Sequence, residues 1–288
     1  MKIWLVQMAP KLGDIKANTA KIIDYVDKAA EAEVQLIAFP ELTLTGYMLR
    51  QKFSQLAEPL PGPVTEPIAR RARKYQMYVT LGMPELYHDQ VYNSAPLFGP
   101  DGLVGVCRKL FLPAFVAPSA TFEEDRFFKP GYDIVTFDTS FGKLGIQICY
   151  DFHFPEIARA QALQGASLLL NLSAAPIPAS DKTPPGYVSA PERFQLLARA
   201  RAVENQAYFG YVNRVGIEED VIFGGGTCLA NNKGQLEKSL SLGEGAGEEV
   251  AECEIDMEKL RRARLALPIL KDVRPEIMRR AAEIADSQ

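Results

Sequence analysis

A chain of 288 residues with a formal net charge of −4, 47% hydrophobic and 24% charged, has the make-up of a soluble globular protein large enough to need no disulfide or metal staple. The mild acidity argues against a nucleic-acid partner, which calls for a basic face, and no window reaches the roughly 18 apolar residues of a membrane span. Four scattered cysteines without a CxxC, and only two histidines (His88 and His153), leave no basis for a zinc site, a disulfide framework or HExxH, so no metal is expected.

The N-terminus, MKIWLVQMAPKLGD, fits a first strand over 2–8 better than a leader, because no small-residue cleavage site follows. Apolar residues at Ile22, Ile23, Val26 and Ala29 or Ala30 predict a helix over 18–32. Val34–Phe39 reads as a short strand ended by Pro40, Thr65–Tyr75 as a helix with Pro67 in its first turn, and Tyr78–Met83 as a strand. Val91–Phe98 and Leu103–Leu110 flank GPDG and read as a hairpin. Strands follow over Ile134–Phe137 and Lys143–Cys149, then a helix over Pro155–Leu163 closed by Gly165, and a strand over Ser167–Leu172. A helix over Pro191–Gln206 leads into the strand Tyr208–Asn213. Leu229–Leu242 and Glu249–Ile255 are two further strands, and the tail from Met257 is helical in two pieces around Pro268 and Pro275. Short apolar strands alternating with helices predict an α/β fold with helix-covered, mixed sheets. No linker divides the chain, so one domain over 1–288 is expected.

In α/β sheets, ligands bind beyond the carboxyl ends of strands. Three chemically useful residues fall there: Glu41 after VQLIAFP, Lys109 at the end of LVGVCRK and Cys149 at the end of LGIQIC. Each alone is more often a solvated surface charge or a small core thiol. Together they are complete for attack on a carbonyl carbon: a nucleophile, a proton carrier and a cation for the oxyanion.

FPELTLTGY, CRKLFLP and CYDFHFPE, in that order, resemble the signature segments of the nitrilase (carbon–nitrogen hydrolase) superfamily. RARAVENQAYFGYVNRVG followed by FGGGTCLANNKGQ is similar to the stretch after its nucleophile, and the resemblance covers about 1–265. It implies a four-layer αββα sandwich and a Glu41–Lys109–Cys149 triad. It also implies a second glutamate in EDRFFKPG, matched by Glu124, with Glu123 the rival by one position. His153 departs from the pattern, standing where members often carry Arg. Tyr47, Phe115, Tyr150, His153 and Ala174 are the candidate substrate contacts. Lys109 and the N–H groups of the turn are expected to lower the pKa of the Cys149 thiol.

Other signals are weaker. Cys149 and His153 are spaced for a dyad, but Pro155 opposes a regular helix across them. FGGGT and GEGAG match no phosphate loop and are read as hairpin turns. The Pro-rich stretch Ala175–Tyr187 reads equally as a surface loop or as a wall of the site.

The sequence thus points to a cytoplasmic hydrolase of a non-peptide C–N bond, in an amide first of all, with release of ammonia or an amine and without a cofactor. The alternatives are a nitrilase, an N-carbamoyl amidohydrolase or a standalone glutaminase-like amidase, and, in another class, a catalytically silent binding member of the fold. Partners are a small amide or nitrile, with neither nucleic acid nor membrane. The resemblance implies a homodimer or larger even-numbered oligomer, and the apolar tail from about 265 either lies at the subunit interface or folds back on its own subunit.

Overall fold

The computed structural model describes residues 1–179 and 186–287, so the middle of the Ala175–Tyr187 stretch lies outside the described residues. Two sheets form the inner layers. The first has seven strands in the order Glu249–Glu254, Lys2–Gln7, Leu36–Ala38, Tyr78–Thr80, Gln90–Gly99, Met83–Tyr87, with Gly102–Arg108 also paired to Gln90–Gly99. The second has six, in the order Leu236–Ser239, Cys228–Ala230, Tyr208–Asn213, Ala166–Ser173, Gly142–Ile148, Thr136–Thr139. The central strands of each run parallel and are apolar on both faces, as strands covered on both sides must be.

Helices Ile15–Glu31 and Glu66–Tyr75 cover the first sheet, packing Ile22, Val26, Ala29, Ile68 and Ala72 onto Val6, Ile37 and Val79. Helices Pro155–Leu163 and Ala190–Glu204 cover the second, where Ala158, Phe194 and Ala198 join the core of Leu168, Leu170 and Phe209. The result is the αββα sandwich.

Four expectations are corrected. The first helix begins at Ile15, ahead of 18, because the Asp14 carboxylate accepts the Ala17 N–H at 3.0 Å and caps it. The buried Asn18, which bonds the Lys11 and Leu44 carbonyls, hides the helical period in that first turn. The expected strand Tyr78–Met83 breaks into two at Gly82. A Cβ there would lie 2.2 Å from the Leu42 nitrogen and 2.5 Å from the Glu41 Cα, so only glycine lets the two backbones pass. Leu229–Leu242 is a hairpin rather than one strand, turned by Asn231, whose side-chain oxygen accepts the Lys233 and Gln235 N–H groups. Neither FGGGT nor GEGAG is a hairpin turn: Gly225 and Gly226, at φ 66 and 82, carry the chain from the strand Val221–Gly224 into the second sheet, and residues 243–247 carry it from Leu236–Ser239 of the second sheet to Glu249–Glu254 of the first.

Candidate active site

Glu41, Lys109, Cys149 and Glu124 meet at the carboxyl ends of the strands, all within the protein interior. Lys109 follows the strand Gly102–Arg108 and is tied on both sides: its N–H donates to the Asn93 carbonyl at 2.9 Å and its carbonyl accepts the Gly131 N–H at 2.7 Å. Its ammonium donates to Glu41 Oε1 and to Glu124 Oε1, each at 2.7 Å. Asn93 Nδ2 donates to the same Glu41 oxygen at 2.7 Å, and the Ala174 N–H donates to Glu41 Oε2 at 2.8 Å. The Tyr47 hydroxyl donates to Glu124 Oε1 at 2.6 Å.

Cys149 opens a short 3₁₀ turn, Cys149–His153, between the strand Gly142–Ile148 and the helix Pro155–Leu163. Its φ of +45 lies in the left-handed region, a conformation that costs a non-glycine residue on the order of 1–3 kcal/mol and collects at functional sites. The surroundings hold it there. Asn171 Nδ2 donates to the Cys149 carbonyl at 3.2 Å. Asp151 Oδ2 accepts the Ile148 N–H at 3.1 Å, while its Oδ1 accepts those of Leu110 and Phe111 at 3.1 and 2.9 Å. One carboxylate therefore braces the cysteine turn against the segment that follows Lys109.

Burial works against the charge on Lys109, but Glu124 and then Glu41 outweigh it and raise the pKa, so the side chain stays an ammonium. Burial, followed by the Glu41 charge, raises Glu124 against the pull of Lys109. The Cys149 thiol is the correction to the sequence expectation. Lys109 and the Ala174 N–H do lower its pKa, yet burial first and Glu41 second hold it well above the ordinary thiol value. The resting group is the neutral thiol, and a base must take its proton. Burial lifts Cys228 and Cys253 as well, each to about 12, so what marks Cys149 out is its neighbouring charges rather than its depth.

The remaining candidates divide. Tyr47 and Ala174 reach the charge cluster, each with its polar donor engaged by a carboxylate. Phe115 lies on a separate hairpin, Ala114–Val116 with Thr121–Glu123, its ring 5.0 Å from Phe122 and 5.6 Å from Tyr150. His153 stands at the surface between the rings of Tyr150 and Phe194, at 5.2 and 5.3 Å. Its partial burial and the charges of Arg193 and Arg201 lower its pKa, so it is neutral at pH 7. Glu123 points outward to Arg126, in contrast to Glu124. The sequence reading does not single out Asn93, Asp151 or Glu218. For Asn93 a signal existed: an amide inside the mostly apolar strand VYNSAPLF.

A four-layer sandwich that gathers a thiol, an ammonium and two carboxylates at its strand ends defines a class of hydrolases with a cysteine at the active site. The carbon-nitrogen hydrolase family model matches residues 2–265, and the chain belongs to that family. It is 32% identical to a nitrilase of Pyrococcus abyssi, over 96% of this chain and 98% of that one. It is also 32% identical to an (R)-stereoselective amidase of Pseudomonas sp., over 95% and 92% of the two chains. Among solved structures, the amidase of Nesterenkonia sp. AN1, in a form carrying acrylamide added at its active site cysteine, superposes with a TM-score of 0.77 at 25% identity, covering 97% of this chain and 99% of that one.

Proposed function

We propose that this carbon–nitrogen hydrolase cleaves small non-peptide amides through a thioester at Cys149. The observation that carries the reading is the Lys109 ammonium held at 2.7 Å by both Glu41 and Glu124, with its charge acting on the Cys149 thiol. An ammonium has three donors, and among the described residues two are spent on the carboxylates, so the third is left for the oxygen of a bound amide. Among the described residues, Glu41 Oε1 takes two donors and Oε2 one, so Oε2 keeps more acceptor capacity for a proton.

The steps follow from these atoms. Glu41 takes the thiol proton as sulfur attacks the carbonyl carbon, and Lys109 stabilises the oxyanion. The tetrahedral intermediate collapses, the C–N bond breaks, and Glu41 returns the proton to the departing ammonia or amine. Water then attacks the thioester with Glu41 as base, the carboxylic acid leaves, and the sulfur regains its proton. Glu124 keeps Lys109 oriented, and Tyr47 keeps Glu124 in place.

The amidases of Pseudomonas sp. and Nesterenkonia sp. AN1 support an amide, and the Pyrococcus abyssi relative supports a nitrile as the second reading. An ammonia-release screen over short amides, nitriles, carbamoyl amino acids and glutamine separates them. Release from amides alone is the expected result; release from nitriles but not amides sinks the amide reading.

The reading also carries a single catalytic domain over 1–288 acting in the cytoplasm as a homodimer or larger even-numbered oligomer. Among the described residues no helix is long and apolar enough to cross a membrane. The helix Pro275–Asp286 supports pairing, since Ile277, Met278 and Ile284 are exposed along it. Light scattering at micromolar concentration tests it, and a monomer would remove it.

A further inference from the structure

We propose that Glu218 is a positioning residue of this site: it fixes the Tyr47–Met48 backbone so that the Tyr47 hydroxyl stays on Glu124. Glu218 ends the strand Val215–Glu218, far in sequence from the residues of the site, and is buried. Its Oε2 accepts two successive backbone N–H groups, Tyr47 at 2.8 Å and Met48 at 2.9 Å. Its Oε1 meets Arg214 Nη1 at 2.5 Å. Arg214 is fully buried, with its guanidinium carbon 4.0 Å from the centre of the Phe223 ring. Phe223 in turn meets the Tyr47 ring edge to face at 6.0 Å.

Tyr47 is thus held at its backbone by Glu218, and its ring packs against Phe223. The Tyr47 hydroxyl donates to Glu124 Oε1, the oxygen that also binds the Lys109 ammonium. A continuous run of contacts leads from Arg214 through Glu218, Tyr47 and Glu124 to Lys109. Burying a guanidinium and a carboxylate only to fill space is a poor use of both, since an apolar pair packs as well without the desolvation cost. What an apolar pair lacks is an acceptor for two adjacent N–H groups. The loop passes tightly over the other oxygen of the same carboxylate: Gly46 has φ +82, and a Cβ on it would lie 2.5 Å from Glu218 Oε1.

The proposal rests on the reading of Glu124 and Lys109 given above, and its test has an arm that does not depend on turnover. The variant Arg214→Met/Glu218→Met removes both charges together, so no unpaired ion is left to unfold the chain. Its partner, Arg214→Met/Glu218→Gln, returns an acceptor oxygen without the charge. In the first, hydrogen exchange at the Tyr47 and Met48 amides should rise at least tenfold, and in the second it should fall back toward wild type. On the amide that the screen identifies, the first should lose about tenfold or more in kcat with KM nearly unchanged, the scale on which orienting partners act. The second should recover most of it. Adding Tyr47→Phe to the first variant should cost little more than Tyr47→Phe alone, because both act through one hydroxyl. Unchanged exchange in the Met variant, no recovery with Gln, or losses that multiply with Tyr47→Phe would overturn the proposal. Cys149→Ala is measured alongside. Turnover surviving there sinks the thioester reading, and the exchange arm then decides on Glu218 by itself.

Discussion

Lys109 and Arg280 each bond a glutamate, Lys109 to Glu41 at 2.7 Å and Arg280 to Glu283 at 3.0 Å, but their surroundings are opposite. Lys109 and Glu41 are wholly buried, while the side chains of Arg280 and Glu283 are 71% and 62% exposed. In the tail, water and salt screen the pair and compete for its hydrogen bonds. In the site, each charge is set by the other charges, and removing one changes the protonation of the rest. Distance alone does not grade an ion pair; the water around it does. The site uses that sensitivity, because a thiol held neutral and a lysine held charged are what the proposed first step needs.

The largest break in this comparison is Lys109→Met. It should lower kcat by at least ~10²-fold, the scale of one oxyanion donor. It should also lower stability by roughly 3–5 kcal/mol at pH 8, because two buried carboxylates then face each other without a cation. Lys109 pulls the Glu124 pKa down, so its loss raises that pKa further above the unfolded value. A carboxylate raised in the folded state favours folding when protonated, below its unfolded pKa, and that advantage is lost as pH rises through the folded pKa. The variant's deficit should therefore be small at acid pH and grow toward pH 8. Urea unfolding across that range checks the sign, and a deficit that grows on acidification would contradict it.

Neighbouring glutamates give the next contrast. Glu124→Gln should lower kcat by about 10²-fold, since it weakens the hold on Lys109. Glu123→Gln breaks only an outward pair with Arg126 and should stay within about twofold. Equal losses would mean that burial does not separate the two. A subtler change is expected at the thiol. Glu41 is the second cause, after burial, of the raised Cys149 pKa. Glu41→Gln should therefore move thiolate formation, followed by absorbance at 240 nm against Cys149→Ala, to lower pH, while turnover falls. A thiolate step that stays put or moves up would sink this account of the thiol. The smallest effect belongs to the tail: Arg280→Gln should leave kcat unchanged and shift the thermal midpoint by no more than about 2 °C. A larger shift that depends on protein concentration would place the pair at a subunit interface.

Glu41, Lys109 and Cys149 were legible in the sequence because each closes a short apolar strand, and strand ends converge in this architecture. Glu124 was legible only through resemblance, and the choice over Glu123 needed its side-chain direction. Asn93 and Glu218 were not legible as parts of the site, since each acts through a contact with a distant segment. The net shift of the thiol is not legible for a related reason, although Lys109 does pull it down. A sequence shows that a lysine is near, but the depth of the group and the second carboxylate, which reverse the sign, come from packing. Among the elements, the hairpin of Val215–Glu218 with Val221–Gly224 was missed because GIEEDVI carries no glycine or asparagine at its tip.

The central claim is the thioester, and the most direct measurement is intact-protein mass spectrometry on protein quenched during turnover of a slow amide, followed by peptide mapping. A single acyl adduct on Cys149, absent from Cys149→Ala, is the predicted result. An adduct on Cys107, Cys228 or Cys253, or full turnover by Cys149→Ala, would contradict it.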